Sequence, residues 1–316
     1  MKLAIFIPCY NEQEIIGLTL ENLPKTIPGI SKIYTIIIND GSTDQTAAIA
    51  QQYGVDQIIH IEKNTGLANA FRKGIHAGLE MGADIIAHTD ADNQYCGEDL
   101  SKIVEPILQK KADLVVGERP IESTADFSWI KKKLQRLGSF VVRQLSGTNV
   151  VDAPSGFRAY SKETAMQLNI FSDFTYTAES LIQAGVLGLN VLSVKIRTNP
   201  VQRPSRLAKN TLSFIWRSAS SIIQMYIFYQ PRVLFYSLAL ILGLPGMGLC
   251  LRFLFFYFVY NGKGHIQSLI LSTILILLSA LCFLLGIIMG FLSNNRLMLE
   301  EIQYRLRKLT LSTKND

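Results

Sequence analysis

Asp84-Ile85-Ile86-Ala87-His88-Thr89-Asp90-Ala91-Asp92-Asn93-Gln94 is the stretch whose reading decides the fold of this chain. A short apolar run ends in a polar tip that carries two carboxylates, Asp90 and Asp92, one residue apart. Short apolar runs bounded by turn residues read as buried strands. Leu3–Ile7, Tyr34–Ile38, Gln57–Ile61, Asp84–His88 and Asp113–Val116 all have this character. Between them, Glu12–Leu23, Thr43–Tyr53, Leu67–Met81 and Glu98–Gln109 carry helical patterns. Strand–helix alternation at this spacing predicts an α/β architecture, a mostly parallel sheet with helices on both faces. Ligands of such sheets sit at the carboxyl ends of the strands, so the polar tips are where function is expected.

The tips are rich in chemistry. Pro8-Cys9-Tyr10-Asn11-Glu12 follows the first strand, and Asn39-Asp40-Gly41-Ser42-Thr43-Asp44 follows the second. Gly41 permits a tight turn, and Asp40 can accept hydrogen bonds from a base imide or a ribose hydroxyl. Ser42 with Gln45 three residues on has the spacing of a capping box. A plain strand–turn–helix capped by serine accounts for this motif equally well. At Asp90 and Asp92 two neighbouring carboxylates at the mouth of a buried strand repel each other unless a cation sits between them. Hard oxygen donors suit Mg²⁺ or Mn²⁺, ions typically completed by substrate phosphates. Such an ion neutralises a diphosphate leaving group.

Composition places the rest. Of 316 residues, 48% are apolar and 18% charged, against about 25% charged in an ordinary globular domain. That excludes a disordered or acidic chain and points to membrane segments diluting a globular part. The four cysteines form no CxxC pair and exclude a disulfide framework. The run Leu3–Ile7 is too short for a signal peptide and stops at Pro8, so the first 200 residues are expected in the cytoplasm. Ile266–Leu292 carries no charge, and Leu234–Tyr260 carries Arg252 alone. These two runs predict a transmembrane hairpin. Arg203, Arg206, Lys209, Arg217 and Arg232 precede the hairpin with no acid among them, Arg296, Arg305, Arg307, Lys308 and Lys314 follow it, and its loop offers little beyond Lys263. The bias predicts that both ends are cytoplasmic, in a multi-pass protein of the inner (plasma) membrane.

Thr211–Tyr229 has apolar residues at helical spacing and reads as an interfacial helix, or else as a helix that packs domains together. The expected layout is a catalytic domain at 1–207, the juxtamembrane helix at 208–232, two spans within 233–293 and a basic tail at 294–316. The net charge of +6 clusters beside the spans, which points to an anionic lipid surface and away from nucleic acid. His60, His76, His88 and His265 share no ligand spacing and read as structural.

As a set, these motifs resemble family 2 glycosyltransferases, and within them the polyprenyl-phosphate glycosyltransferases similar to dolichol-phosphate mannose synthase. The resemblance runs from about Leu3 to Leu207 and takes in two further motifs, Ser155-Gly156-Phe157-Arg158-Ala159-Tyr160 and Arg203-Pro204-Ser205-Arg206. It implies a GT-A-type fold. It also implies inverting transfer of a sugar from a nucleotide diphosphate sugar (UDP-hexose, UDP-N-acetylhexosamine or GDP-mannose) to a membrane polyprenyl phosphate. Pro8, Tyr10, Glu12 and Asp40 match residues that hold the base and ribose, with Asn11, Gly41, Ser42 and Ala91 in the same nucleotide-binding tips. Asp90 and Asp92 match metal-proximal acids, and Gln94 a side chain that also approaches the metal. Arg119 matches a basic residue near the phosphates. Ser155 and Arg158 match the acceptor-side loop, and Arg203 and Arg206 a basic pair that grips phosphate. Tyr95 stands where the family often has His, Cys96-Gly97 where it often has Pro, and Arg206 where it often has Lys. These departures bear on the sugar rather than the reaction.

A lipid phosphate is largely dianionic near pH 7 and needs little help from a base. The harder task is bringing two anions together. The expected division of labour puts the diphosphate at Asp90 and Asp92, and the acceptor phosphate on Arg143, Arg158 and Arg203, since guanidinium binds phosphate bidentately. Glu179 either orients an arginine or the acceptor, or is a helix-N-terminal acid favoured by the macrodipole. Asp92, Arg119, Arg158, Arg203 and Arg206 are the expected catalytic set, and the two thin spans invite contacts between copies of the chain. A processive polysaccharide synthase would carry Gln-x-x-Arg-Trp, and neither Trp129 nor Trp216 sits in one. A catalytically silent scaffold that binds nucleotide sugar has no need of the Asp90/Asp92/Gln94 set.

Overall fold

The computed structural model describes residues 1–120, 129–170, 176–200, 220, 223–224, 227–259 and 265–313. It divides into two compact units, Met1–Ile222 together with Glu301–Asp316, and Ile223–Glu300.

The first unit is built on a seven-stranded sheet of β1 (Lys2–Cys9), β2 (Lys32–Asp40), β3 (Gln57–Ile61), β4 (Ile85–His88), β5 (Leu114–Glu118), β6 (Arg158–Ser161) and β7 (Val191–Lys195), in the order β3-β2-β1-β4-β6-β5-β7. Leu3–Cys9 is buried on both faces, which is why the central strand reads as one apolar run rather than an alternation. β1 pairs in parallel with β2 and β4, β2 with β3, and β5 with β7. β6 alone runs antiparallel, to β4 and to β5. The chain winds outward from β1 to β3 and then resumes on the other side of β1. That reversal opens a crevice between the carboxyl ends of β1 and β4.

Around the sheet lie α1 (Ile16–Glu21), α2 (Thr46–Gln52), α3 (Leu67–Glu80), α4 (Leu100–Leu108), α5 (Trp129–Ser146), α6 (Lys162–Gln167) and α7 (Tyr176–Val186). Ile5, Ile7, Ile37, Ile85, Val115 and Phe157 form the middle of the core. The first two helices begin later than their sequence pattern predicts, because the strand tips use the intervening residues for their own hydrogen bonds. The capping box at Ser42 is corrected. α2 starts at Thr46, Gln45 precedes it without a side-chain cap, and Ser42 Oγ instead accepts from the Asn11 N–H at 3.0 Å. Asp44 takes over the helix start, its Oδ1 accepting from the Thr46 N–H at 3.0 Å and its Oδ2 from the Gln13 N–H at 3.2 Å.

The second unit holds α8 (Pro231–Val259) and most of α9 (Ile266–Thr313), each long and apolar enough to cross a membrane. They pair as antiparallel neighbours through small residues and hydroxyls, as helices do in lipid. Ser272 Oγ donates to the Gly246 carbonyl at 2.8 Å, Ser279 Oγ to the Ala239 carbonyl at 2.7 Å, and Tyr236 stacks on Phe283. Away from the seam, side chains such as Leu244 (64%) and Phe258 (77%) are exposed. An apolar surface this extensive is incompatible with water and suits hydrocarbon. Most of the expected interfacial helix at Thr211–Tyr229 lies outside the described residues.

Candidate active site

Parallel pairing brings the ends of β1, β2, β4, β5 and β7 to one rim, and antiparallel β6 brings its beginning to the same place. Arg158, the first residue of β6, stands opposite His88, the last of β4. The Ser155–Phe157 loop therefore arrives beside Asp90.

The β1 and β2 tips are clasped together. Asn11, at φ +55°, accepts from the Thr43 N–H at 2.9 Å, and the Glu12 N–H donates to Thr46 Oγ1 at 2.8 Å. Pro8 is buried within β1, and Tyr10 stands exposed beyond it. Asp40 is buried, and its Oδ1 accepts from the Thr65 N–H (2.9 Å) and hydroxyl (2.8 Å), its Oδ2 from the Gly66 N–H (2.9 Å). A carboxylate offers about four acceptor positions, so Asp40 both organises the entry to α3 and keeps capacity for one more donor. Gly41 has φ +72°, and a Cβ there would lie 2.6 Å from the Asn64 nitrogen, so this turn requires glycine.

Asp90 is the electrostatic centre. Burial pushes its carboxyl pKa up, against the pull of Arg119, a Tyr95 hydrogen bond and Arg158. Its negative charge is thus only partly compensated. The Tyr95 hydroxyl also accepts from the Gly156 N–H at 3.0 Å, and burial followed by the Asp90 charge drives that phenol's pKa up. His88 is fully buried, and burial lowers its pKa to about 4, so it is neutral near pH 7. Its Nδ1 contacts the Gly156 carbonyl, which can only accept, so Nδ1 carries the proton and Nε2 presents a lone pair. Nε2 lies 3.8 Å from Asp90 Oδ1. Gly156 closes over the same carboxylate, and a Cβ there would fall 2.9 Å from Asp90 Oδ2.

Asp152 is a site residue that sequence reading missed. It is fully buried and takes Arg119 bidentately, Nε to Oδ2 at 2.7 Å and Nη2 to Oδ1 at 3.0 Å, with Gln135 Nε2 on Oδ1 at 3.0 Å. Burial alone would lower the Arg119 pKa, but Tyr95, Asp152 and Asp90 together hold it up. Arg119 is therefore a fixed cation at the rim, aimed by Asp152. An acid in the loop before the Ser155-Gly156 motif was the available signal.

Asp92 follows on the same loop, its Oδ1 accepting from the Gln94 N–H at 3.1 Å. Asn93, between them, is held at φ +54°. Asn22 Nδ2 donates to its Oδ1 at 3.0 Å, and Asn199 Nδ2 to its carbonyl at 2.9 Å, while the Asn199 N–H donates to the Gln94 carbonyl at 2.8 Å. Just upstream of Asn199, Arg197 is locked to buried Asp99 through its N–H (2.7 Å), Nε (3.0 Å) and Nη2 (2.7 Å). The segment after β7 is thereby stitched along the acid-bearing loop. Among the described residues no group of three or more His, Cys, Asp or Glu converges. Two carboxylates on one loop, with the charge at Asp90 only partly compensated, fit a hard cation whose remaining ligands are oxygens from elsewhere.

Other expected residues fall differently. Arg158 is corrected, because it is an interior residue and cannot grip an acceptor phosphate. It is fully buried and donates to the carbonyls of Ser155 (2.8 Å), Thr177 (2.7 Å) and Ala153 (2.6 Å) and to Ser180 Oγ (2.7 Å). Ser155 is likewise fully buried. Arg143, half-buried on α5, donates to the Val150 carbonyl at 3.4 Å, and Glu179 is buried in the first turn of α7. Ala91 is buried and its carbonyl accepts from Thr19 Oγ1 at 2.8 Å. Arg203 and Arg206 lie outside the described residues.

The sequence pattern of glycosyl transferase family 2 matches residues 4–168, more than half of the chain. The chain belongs to glycosyl transferase family 2. Among the relatives of this glycosyltransferase, a UDP-N-acetylglucosamine–dolichyl-phosphate N-acetylglucosaminyltransferase from Methanococcus voltae is 31% identical over 219 residues, covering 61% of this chain and 84% of that one. An undecaprenyl-phosphate mannosyltransferase from Micrococcus luteus is 27% identical over 206 residues, covering 62% and 83%. Among solved structures, glucosyl-3-phosphoglycerate synthase from Mycobacterium tuberculosis, in complex with Mn²⁺, UDP-glucose and phosphoglyceric acid, superposes with a TM-score of 0.54 at 17% identity, covering 72% of this chain and 78% of that one. At that identity the likeness speaks for the fold of this glycosyltransferase, the GT-A-type sheet expected from its motifs.

Proposed function

We propose that this glycosyltransferase moves a sugar from a nucleotide diphosphate sugar to a membrane polyprenyl phosphate, with inversion at the anomeric carbon. The observation that carries the reading is the pair of carboxylates Asp90 and Asp92 on the loop after β4, at a rim shared with Asp40 at the end of β2, in a chain that also carries two long apolar helices. The named relatives that act on undecaprenyl and dolichyl phosphates support the acceptor class. UDP-hexose, UDP-N-acetylhexosamine and GDP-mannose are all donors of the right chemistry.

In this reading the nucleotide lies across the β1 and β2 tips, with Tyr10 exposed against the base and Asp40 keeping an acceptor position for it. Asp90 and Asp92, with Gln94 in the same loop, would hold Mg²⁺ or Mn²⁺, and the ion would supply charge neutralisation for the diphosphate leaving group. Arg119, fixed by Asp152, adds a permanent cation at the same rim. The tether holds the catalytic domain at the lipid surface, so the acceptor is met at high effective concentration. Arg203 and Arg206, which follow Asn199 in sequence and precede the first span, are the groups proposed to receive its phosphate. Arg143 remains an acceptor-side group, and Arg158 is withdrawn from that role.

The layout that goes with this is a catalytic domain at 1–207, a juxtamembrane helix at 208–232, a hairpin within 233–293 and a tail at 294–316, with both ends cytoplasmic and copies of the chain associating through the spans. The test is Asp92→Ala in the full-length protein, assayed for transfer from a panel of nucleotide sugars to undecaprenyl phosphate. Loss of at least about 100-fold in turnover is expected, the scale on which removing one charge-stabilising group acts. Turnover near wild type would remove the proposed role of the acids.

A further inference from the structure

A cavity of about 650 Å³ is lined by α3, by Leu168, Asn169 and Ile170 after α6 and by the last turns of α9. Its volume falls within the range of small-molecule sites. Ile75, Leu79, Leu168, Ile170, Leu306 and Leu311 give it an apolar body. One part of it is cationic. Arg307 Nη1 donates to the carbonyls of Met166 (3.0 Å) and Leu168 (2.8 Å), and Arg72 Nη1 to the carbonyl of Ile170 (3.0 Å). Both guanidinium groups therefore grip the same short loop, and Lys73 lines the cavity beside Arg72.

The acid among the described lining residues, Glu80, is occupied by His76 at 3.2 Å. Among the described residues no carboxylate lies within ion-pair distance of Arg307. A half-buried guanidinium whose partners among the described residues are neutral carbonyls is costly unless an anionic ligand completes it.

We infer that this cavity binds an anionic amphiphile, a phosphate- or carboxylate-bearing molecule whose head meets Arg307 and Arg72 and whose apolar chain occupies the Ile75–Leu306 side. None of its lining residues is assigned to sugar transfer, and the inference stands apart from the proposed reaction.

The test is a native mass spectrometry titration of the full-length protein in neutral detergent with lysophosphatidic acid, with lysophosphatidylcholine and inorganic phosphate as the other arms. The expected result is one saturable lysophosphatidic acid site, at least tenfold tighter than lysophosphatidylcholine, and not displaced by millimolar phosphate. Arg307→Ala should weaken binding at least tenfold. Leu306→Trp, which fills the apolar part and leaves the cations in place, should do the same, and melting temperatures report whether each variant folds. Equal binding of the two lipids would overturn the anionic class. Displacement by phosphate would overturn the apolar half and leave a soluble anion as occupant. Wild-type binding by a folded Leu306→Trp would overturn the site. Because the readout is binding and not transfer, failure here leaves the catalytic proposal untouched, and the converse holds as well.

Discussion

Replacing Asp152 by Ala removes both oxygens that receive Arg119 and leaves a guanidinium, 13% exposed, without the bidentate carboxylate that fixes it. Breaking a buried ion pair from one side costs about 3–5 kcal/mol, because the surviving charge stays desolvated. For a unit of roughly 200 residues each kcal/mol moves the melting temperature by about 2–4 °C, so a fall of about 6–20 °C is expected. The companion experiment is a cycle with Arg119→Met. If the two side chains act as a pair, the double variant should recover part of the loss, since an apolar replacement of both is often close to neutral. Thermal unfolding of the detergent-solubilised protein, followed by intrinsic fluorescence, reads all four corners. A shift under about 2 °C for Asp152→Ala, or strictly additive losses, would refute the claim that Asp152 holds Arg119 at the rim.

Three further outcomes follow from the same geometry. Gly156→Ala places a methyl against the Asp90 carboxylate, so turnover should fall at least about tenfold with the fold retained; steady-state kinetics alongside circular dichroism checks it. Asn199→Ala removes the side-chain donor shared by the Asn93 and Tyr95 carbonyls, so kcat should fall more than donor KM rises, and Asn93→Gly in that background should restore part of the loss by relieving the positive φ. At Asp99, burial pushes the pKa up but Arg197 and Lys102 outweigh it, holding the carboxyl at about 2, below its unfolded value. That stabilisation, about 2 kcal/mol, is fully present above about pH 5 and is lost as pH falls toward about 2. Denaturant titrations of Asp99→Asn and wild type should therefore differ by that amount at about pH 6 and by about half of it at about pH 3.

β1, β4, β5 and the second half of β2 were legible because each is a short apolar run that must be buried, and burial on both faces leaves no alternation to misread. β3, at the edge of the sheet and only partly buried, was legible from Ile58, Ile59 and Ile61. β6 was not. Arg158-Ala159-Tyr160-Ser161 begins with an arginine and carries too little apolar residue to announce itself, and its direction follows only from pairing with β4 and β5. The same limit explains Ser42. Its spacing to Gln45 satisfies a capping box, yet the nearer demand of the Asn11 N–H across the strand tips took the hydroxyl instead.

The order of apolar runs, the carboxylates at the tip of β4 and the two long uncharged segments are properties of the chain, and they determined an α/β domain with its polar rim and a pair of apolar helices. Which polar groups face that rim is a matter of partners, and partners come only with the fold. Arg158 and Arg119 are both arginines near a strand end. One is consumed by interior carbonyls because β6 runs antiparallel beneath it, and the other is held at the rim because Asp152, 33 residues away, fixes its fork. A guanidinium has no preference of its own between these fates; the surrounding donors and acceptors, assembled by strand direction, make the choice.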